Sequence, residues 1–178
     1  GLDSLGRDWA RAFAQYAPIP TVIDADALTH LATDGLEGLQ ATGPRILTPH
    51  PGEAARLLGK STREIQADRY GAAEALAERS GQVAILKGAR SVVAGAGELR
   101  VCAEGTPALG VAGTGDVLSG VLGALAMSLA PLDAAIAGTL LHALAGEAAA
   151  VADRGLIASE VADAVPRILA GELWSDAR

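Results

Sequence analysis

The stretch Gly110-Val111-Ala112-Gly113-Thr114-Gly115-Asp116, followed by the apolar run from Val117 to Leu129, decides how this chain is read. Two glycines flank a threonine where an apolar helix begins. Glycine lets the backbone approach a ligand closely and take positive φ. The unpaired amides of a first helical turn, with the helix dipole behind them, form an anion site. Gly113, Thr114 and Gly115 are therefore the candidate anion loop. Asp116 falls in the first turn beside it, placed to take a proton from an attacking hydroxyl. The same residues also read as an ordinary helix cap, with Thr114 as capping residue and Asp116 favouring the dipole.

Outward from that loop, three short apolar runs read as buried strands: Thr21 to Asp24, Arg45 to Thr48 and Val83 to Leu86. Ser91 to Ala94 and Leu99 to Cys102 read as a hairpin around Gly95-Ala96-Gly97. Helices are expected over 7–16, 27–32 with Asp26 as cap, and 52–58 opened by Pro51. A capping box, Ser61-Thr62-Arg63-Glu64, opens one long helix reaching about Arg79. Residues 105–113 read as a loop. Helices follow over 114–129, 132–152 and 158–170, the last strained by Pro166. Apolar strands alternating with helices predict an α/β fold, a mainly parallel sheet with helices on both faces, in a single domain over 1–178.

Ligands in such folds bind beyond the carboxyl ends of the strands. The polar residues gather there: Asp24 and Asp26 after the first strand, His50 and Glu53 after the second, Lys87 after the third. Thr48-Pro49-His50-Pro51-Gly52-Glu53 is a stiff turn. In it His50 can hydrogen-bond a substrate, and Glu53 can orient Mg2+ through water. Glu53 equally reads as a first-turn acid. Lys87-Gly88-Ala89-Arg90-Ser91 offers two cations and a hydroxyl that suit nucleotide phosphates, and equally reads as a solvated turn. Asp24 closes a buried strand and so needs a cation or hydrogen bonds. His142, among Leu140, Leu141 and Leu144, reads as a satisfied core histidine, His30 as a surface residue, and Cys102 as a small packed one.

Half of the 178 residues are hydrophobic, 3% are aromatic and mean hydropathy is +0.30, so an aliphatic, alanine-rich core is expected. The net charge of −7 and pI near 4.9 disfavour nucleic acid, which requires a basic footprint. A small anion is still admissible, held by amides and one or two cations. One cysteine rules out an internal disulfide and fits a reducing, cytoplasmic location. No leader is visible. The longest apolar stretch, Val121 to Ile136, is interrupted by Gly123, Ser128, Pro131 and Asp133. It falls short of the roughly 20 residues a membrane helix takes, so no membrane partner is expected.

Four motifs in order, Val22 to Leu28, Ile46 to Glu53, Ala84 to Arg90 and Ala112 to Gly120, resemble those of the NAD(P)H-hydrate dehydratase family of the ribokinase-like superfamily. The resemblance implies a ribokinase-like fold. It also implies that the chain is the C-terminal portion of a larger family domain, since members carry strands and helices ahead of the position of Gly1. The implied activity is a lyase for metabolite repair: hydrated NADH or NADPH is phosphorylated on its hydroxyl, then loses phosphate. ADP or ATP is the implied co-substrate, with Mg2+ as cofactor. Carried over by position, His50 and Asp116 would contact the hydrate, with Asp116 as base, and Gly1 would be the remnant of a glycine-rich substrate loop. Lys87, Gly88, Ala89, Arg90, Ser91 and Gly115 would line the nucleotide site. The chain departs from the family at Thr106-Pro107-Ala108-Leu109, where Asn-Pro-Gly-Met is more usual, and at Ala112, commonly glycine. Two other readings are a small-molecule kinase of the same fold, of hydroxyethylthiazole or pyridoxal type, and a non-catalytic nucleotide-binding module. A homo-oligomer is expected, and the alanine-rich helices over 132–152 and 158–170 can pack between subunits or equally within one.

Overall fold

The computed structural model describes residues 4–39 and 41–171, so the expectation placed on Gly1 lies outside the described residues. Five strands form one sheet in sequence order: β1 (Thr21–Ile23), β2 (Arg45–Leu47), β3 (Val83–Leu86), β4 (Val92–Gly95) and β5 (Glu98–Val101). The first three are parallel. The hairpin then adds β4 and β5 antiparallel. Register places Ile23 beside Leu47 and Leu47 beside Ala84, so the carboxyl ends of β1, β2 and β3 share one edge.

Side chains alternate across the pleat. Ile23, Leu47, Ala84, Leu86, Val92 and Ala94 point to one face. There they meet α2 (Ala25–Asp34), α3 (Pro51–Leu58), α4 (Thr62–Ala67) and α5 (Arg69–Ser80) through Leu28, Leu57, Ile65 and Leu76. Ile46, Val83, Ile85 and Val93 point to the other face. That face is covered by α6 (Thr114–Ala126) and α7 (Pro131–Ala149) through Leu118, Leu122, Ala134 and Ala135. A third cluster, with Ala145, Leu156, Val161 and Ala164, seats α8 (Ala158–Leu169) on the end of α7. Among the described residues no helix is long and apolar enough to cross a membrane.

Two expectations are corrected. The long helix over 61–79 is two helices, because Asp68 leaves helical geometry (φ −138°, ψ 77°) and caps α5, accepting from the Gly71 amide at 2.9 Å. The α2 cap is Asp24, which accepts from the Ala25 amide at 2.9 Å, and Asp26 falls in the first turn.

The first helix, α1 (Ser4–Tyr16), is tied down by Arg45, whose side chain is fully buried. Its guanidinium donates to the carbonyls of Ala14 (2.5 Å), Ala17 (2.7 Å), Pro44 (3.0 Å) and Ile19 (3.1 Å). A cation at a helix C-terminus meets the negative end of the dipole, and each carbonyl here would otherwise be buried with a weaker partner or none. Burial pulls the Arg45 pKa down, yet an arginine remains charged. Arg45→Met should cost about 3 kcal/mol of unfolding free energy in urea titration, since it strips a charged donor from four carbonyls, and a buried polar group left unsatisfied costs about 1–3 kcal/mol. A loss under about 1 kcal/mol would show that water satisfies these carbonyls equally well.

Candidate active site

Three strand ends and one helix start build the site. β1 ends at Asp24 and β3 at Lys87, and the Lys87 ammonium pairs with the Asp24 carboxylate at 2.7 Å. Both side chains are mostly out of water, at 21% and 16% exposure, so each depends on the other. The Ser119 hydroxyl, from α6, reaches the second Asp24 oxygen at 3.4 Å. Gly115 sits against the same pair: a Cβ built there would lie 3.6 Å from Asp24 Oδ2 and 3.7 Å from Lys87 Nζ. The pair therefore joins β1 and β3 to the start of α6.

The α6 start differs from the expected cap. Gly113 is the capping residue, in left-handed geometry at φ 90°, which favours glycine. Thr114 is the first helical residue. Its hydroxyl turns inward to the carbonyls of Leu109 (2.8 Å) and Val111 (3.0 Å) and takes no part in capping. With no side chain spent on them, the amides of Thr114 and Gly115 have no acceptor among the described residues.

Facing them is the loop after β3. The Lys87 amide is used, donating to the Pro49 carbonyl at 2.9 Å. The next three amides, of Gly88, Ala89 and Arg90, have no acceptor among the described residues. Successive unpaired amides of this kind form an anion-binding concavity. Two of the three non-glycine residues with positive φ among the described residues border this edge, Ala25 at 51° and Arg90 at 56°. Such strain concentrates at functional sites.

These groups enclose a cavity of about 530 Å³, well inside the range of small-molecule sites. Lys87, Gly88, Ala89, Arg90, Ser91, Thr114 and Gly115 all line it, so the whole sequence-derived nucleotide set converges on one space. Gly113, His50 and Asp116 are not in its lining. Asp116 follows Gly115 directly and its side chain is exposed, with its amide bonded to Gly113 O at 3.1 Å. His50 caps α3: its Nδ1 accepts from the Gly52 (2.9 Å) and Glu53 (3.3 Å) amides. That fixes the proton of the neutral ring on Nε2, 3.5 Å from Glu53 Oε1.

Glu53 is buried, and its other oxygen accepts the His50 amide at 2.8 Å. It thus completes the capping box, in keeping with its reading as a first-turn acid. No group of three or more His, Cys, Asp or Glu that could hold a metal is found among the described residues. The donor set does not fit a protein-caged metal.

Several lining residues carry no signal in the sequence. The hairpin returns Cys102 beside Ser91, the Cys102 amide donating to Ser91 O at 2.9 Å, so Cys102 and the following Glu104 and Thr106 face the cavity. Burial pushes the Cys102 thiol pKa up. Thr106 caps the short turn Pro107–Leu109, accepting from the Ala108 amide at 3.2 Å. His142 is satisfied, as expected, but it lines the cavity as well. Its Nε2 lies 2.9 Å from the Thr114 carbonyl, which only accepts, so Nε2 carries the proton. His30 is half-buried, and its Nε2 has no partner, contrary to the surface expectation.

A mixed α/β sheet with unpaired amides and a cation at its carboxyl edge, opposite a glycine-capped helix, defines the class of open α/β proteins whose sites lie beyond the strand ends. A ribokinase-like superfamily protein from Enterococcus faecalis shares the fold with a TM-score of 0.79 at 20% identity, over 96% of this chain and 60% of that one. Within that class the chain belongs to the NAD(P)H-hydrate dehydratase family, whose pattern matches residues 1–167. It is 41% identical over 163 residues to an ADP-dependent (S)-NAD(P)H-hydrate dehydratase of Neisseria meningitidis serogroup B, covering 87% of this chain and 55% of the relative. It is 43% identical over 155 residues to a bifunctional NAD(P)H-hydrate repair enzyme of Moorella thermoacetica, covering 85% of this chain and 29% of the relative. The ADP/ATP-dependent NAD(P)H-hydrate dehydratase of Bacillus subtilis, co-crystallised with ATP/Mg2+, matches with a TM-score of 0.75 at 32% identity, over 88% of this chain and 54% of that one. The chain thus spans about half of the dehydratases it resembles, and less of the bifunctional enzyme.

Burial above all, aided by the nearby Lys87 charge, lowers the His142 pKa below its ordinary value of 6.5, against the Thr114 hydrogen bond. The unfolded chain therefore takes up a proton below pH 6.5 that the folded chain refuses. Stability due to neutral His142 is full above that pH and is lost as pH falls toward the lower folded value. Between about pH 7.5 and pH 5, the native chain should lose more stability in urea unfolding than His142→Gln does. Equal losses would mean the imidazole titrates alike in both states.

Proposed function

We propose that this chain carries the nucleotide site and the catalytic aspartate of an ADP- or ATP-dependent NAD(P)H-hydrate dehydratase, as the C-terminal portion of the family domain. The observation that carries the reading is the convergence of Lys87 to Ser91 and Gly115 on one cavity, with Asp116 the next residue along α6. The ADP-dependent relative and the nucleotide-bound Bacillus neighbour support it. β1 pairs only with β2 among the described strands, which leaves an edge that further strands of a larger domain would extend.

In this reading the nucleotide phosphates lie on the amides of Gly88 to Arg90 and of Gly115, opposite the Lys87 cation. Charge developing on the transferred phosphoryl group is met by fixed amide dipoles and the α6 dipole, groups that need no reorganisation. Asp116 accepts the proton of the hydrate's hydroxyl as its oxygen attacks phosphorus and the bond to the leaving nucleotide breaks. Elimination then breaks the carbon–oxygen bond to phosphate, releases a proton from the neighbouring carbon and restores the ring double bond. His50, with Nδ1 committed to the α3 cap, would meet the hydrate through its exposed ring edge. Magnesium would arrive on the nucleotide phosphates, with no cluster of three or more ligands to hold it among the described residues. A homo-oligomer is the accompanying proposal. α7 and α8 pack on one another, whereas α1 exposes Leu5, Trp9, Phe13 and Tyr16 at helical spacing, an apolar stripe that supports it.

Hydrated NADH incubated with the protein and ADP, or ATP, should regain NADH absorbance. Asp116→Asn should lower turnover by about 10²- to 10⁴-fold, with nucleotide affinity changed by less than about threefold. Nucleotide binding without any return of absorbance would reject the dehydratase in favour of a binding module. Phosphorylated hydroxyethylthiazole or pyridoxal, with the hydrate untouched, would identify a kinase.

A further inference from the structure

We propose that Arg69 is a positioning residue for nucleotide phosphate, acting from behind the cavity by holding the backbone of Leu86 and Lys87. The proposal rests on the reading of the cavity as a nucleotide site.

Arg69 is the first residue of α5, and the break at Asp68 aims it at the end of β3. One guanidinium nitrogen, Nη2, donates to the carbonyls of Leu86 (3.1 Å) and Lys87 (3.3 Å). The other, Nη1, donates to Gln66 Oε1 at 3.1 Å. Arg69 does not line the cavity, and no carboxylate pairs with it among the described residues. It fills the back of the turn: a Cβ built on Gly88, whose φ is 137°, would lie 3.1 Å from Nη1.

Both backbone groups of Lys87 are consequently held, one in each of the two peptide units that flank its Cα. Its amide is held by Pro49 O at 2.9 Å and its carbonyl by Arg69. The amide of Gly88 belongs to the same peptide plane as the Lys87 carbonyl. Holding that carbonyl on the Arg69 side points the Gly88 amide the opposite way, since C=O and N–H of a trans peptide are antiparallel. Without the guanidinium the plane is free to rotate and present a carbonyl oxygen, which repels phosphate. Arg69 also leaves a half-buried positive charge unpaired beside the loop, which an anionic ligand would balance. The effect is specific to phosphate: the nucleoside moiety gains nothing from the orientation of this peptide.

The test compares ADP with adenosine by calorimetry on the purified protein and on Arg69→Gln and Arg69→Lys. The expected result is a loss of ADP affinity of about tenfold to a hundredfold in Arg69→Gln, typical of a lost positioning contact, with adenosine affinity unchanged. In turnover the loss should fall on the nucleotide KM and not on the KM of the hydrate. Arg69→Lys should stay impaired, because a single ammonium nitrogen cannot stand at both fork positions, one on the two carbonyls and one on Gln66. Unchanged ADP binding in Arg69→Gln, equal losses for ADP and adenosine, or full rescue by lysine would each overturn the proposal. If Arg69→Gln does not fold, Gln66→Met keeps the guanidinium but removes one anchor. A selective loss of ADP affinity of about two- to fivefold then supports the proposal, and no loss overturns it. Failure of the unaltered protein to bind ADP would instead sink the nucleotide reading.

Discussion

The Lys87 ammonium and the Asp24 carboxylate face each other at 2.7 Å with most of their surfaces out of water. Either charge alone would carry a heavy desolvation cost at this depth, and together they offset it. Asp24 ends β1, Lys87 ends β3, and Gly115 opens α6 against both. The pair thus sets the distance between the sheet edge and the helix whose free amides face the cavity. A Cβ at 115 would come into ordinary van der Waals contact with this pair, 3.6 Å from Asp24 Oδ2 and 3.7 Å from Lys87 Nζ.

Around that pair the site is made mostly of backbone. Unpaired amides at the start of α6 and after β3 meet across a cavity lined by two cationic residues, Lys87, already paired with Asp24, and Arg90. This explains how a chain with a net charge of −7 can still be suited to an anion. Local amide dipoles and one oriented cation act at contact distance, while the distant acidic surface is screened within about 10 Å at ordinary salt. It also separates two jobs along α6. Thr114 and Gly115 belong to the cavity, while Asp116, one residue further, stands outside its lining where a second substrate would approach.

Strand positions were legible because three apolar runs end in polar residues, and a parallel register then brings those ends together by geometry alone. The helix break at Asp68 was not recognised, although an aspartate three residues ahead of Gly71 is a local capping signal. The unbroken capping-box pattern from Ser61 outweighed it. Of the two readings open at Thr114, the cap does not hold, although threonine is a favoured capping residue. In the fold its hydroxyl is drawn to the carbonyls of Leu109 and Val111, and glycine takes the cap. Glu53 and His50 were visible as a pair in sequence, but their mutual capping of α3 requires coordinates.

The sequence by itself determined the α/β class, the edge of the sheet where the polar residues gather, and the turns over 87–91 and 113–116. Those features follow from periodicity, turn residues and charges near one another along the chain. Only the tertiary structure decided which residues complete the cavity. Cys102 arrives by the return of a hairpin, His142 by the crossing of α7 over the α6 start, and Arg69 by a helix break that turns it toward β3. These contacts join residues far apart in sequence, and no local pattern encodes them. They form because the apolar faces of separate helices must be buried against one sheet, and that packing fixes where each polar side chain emerges.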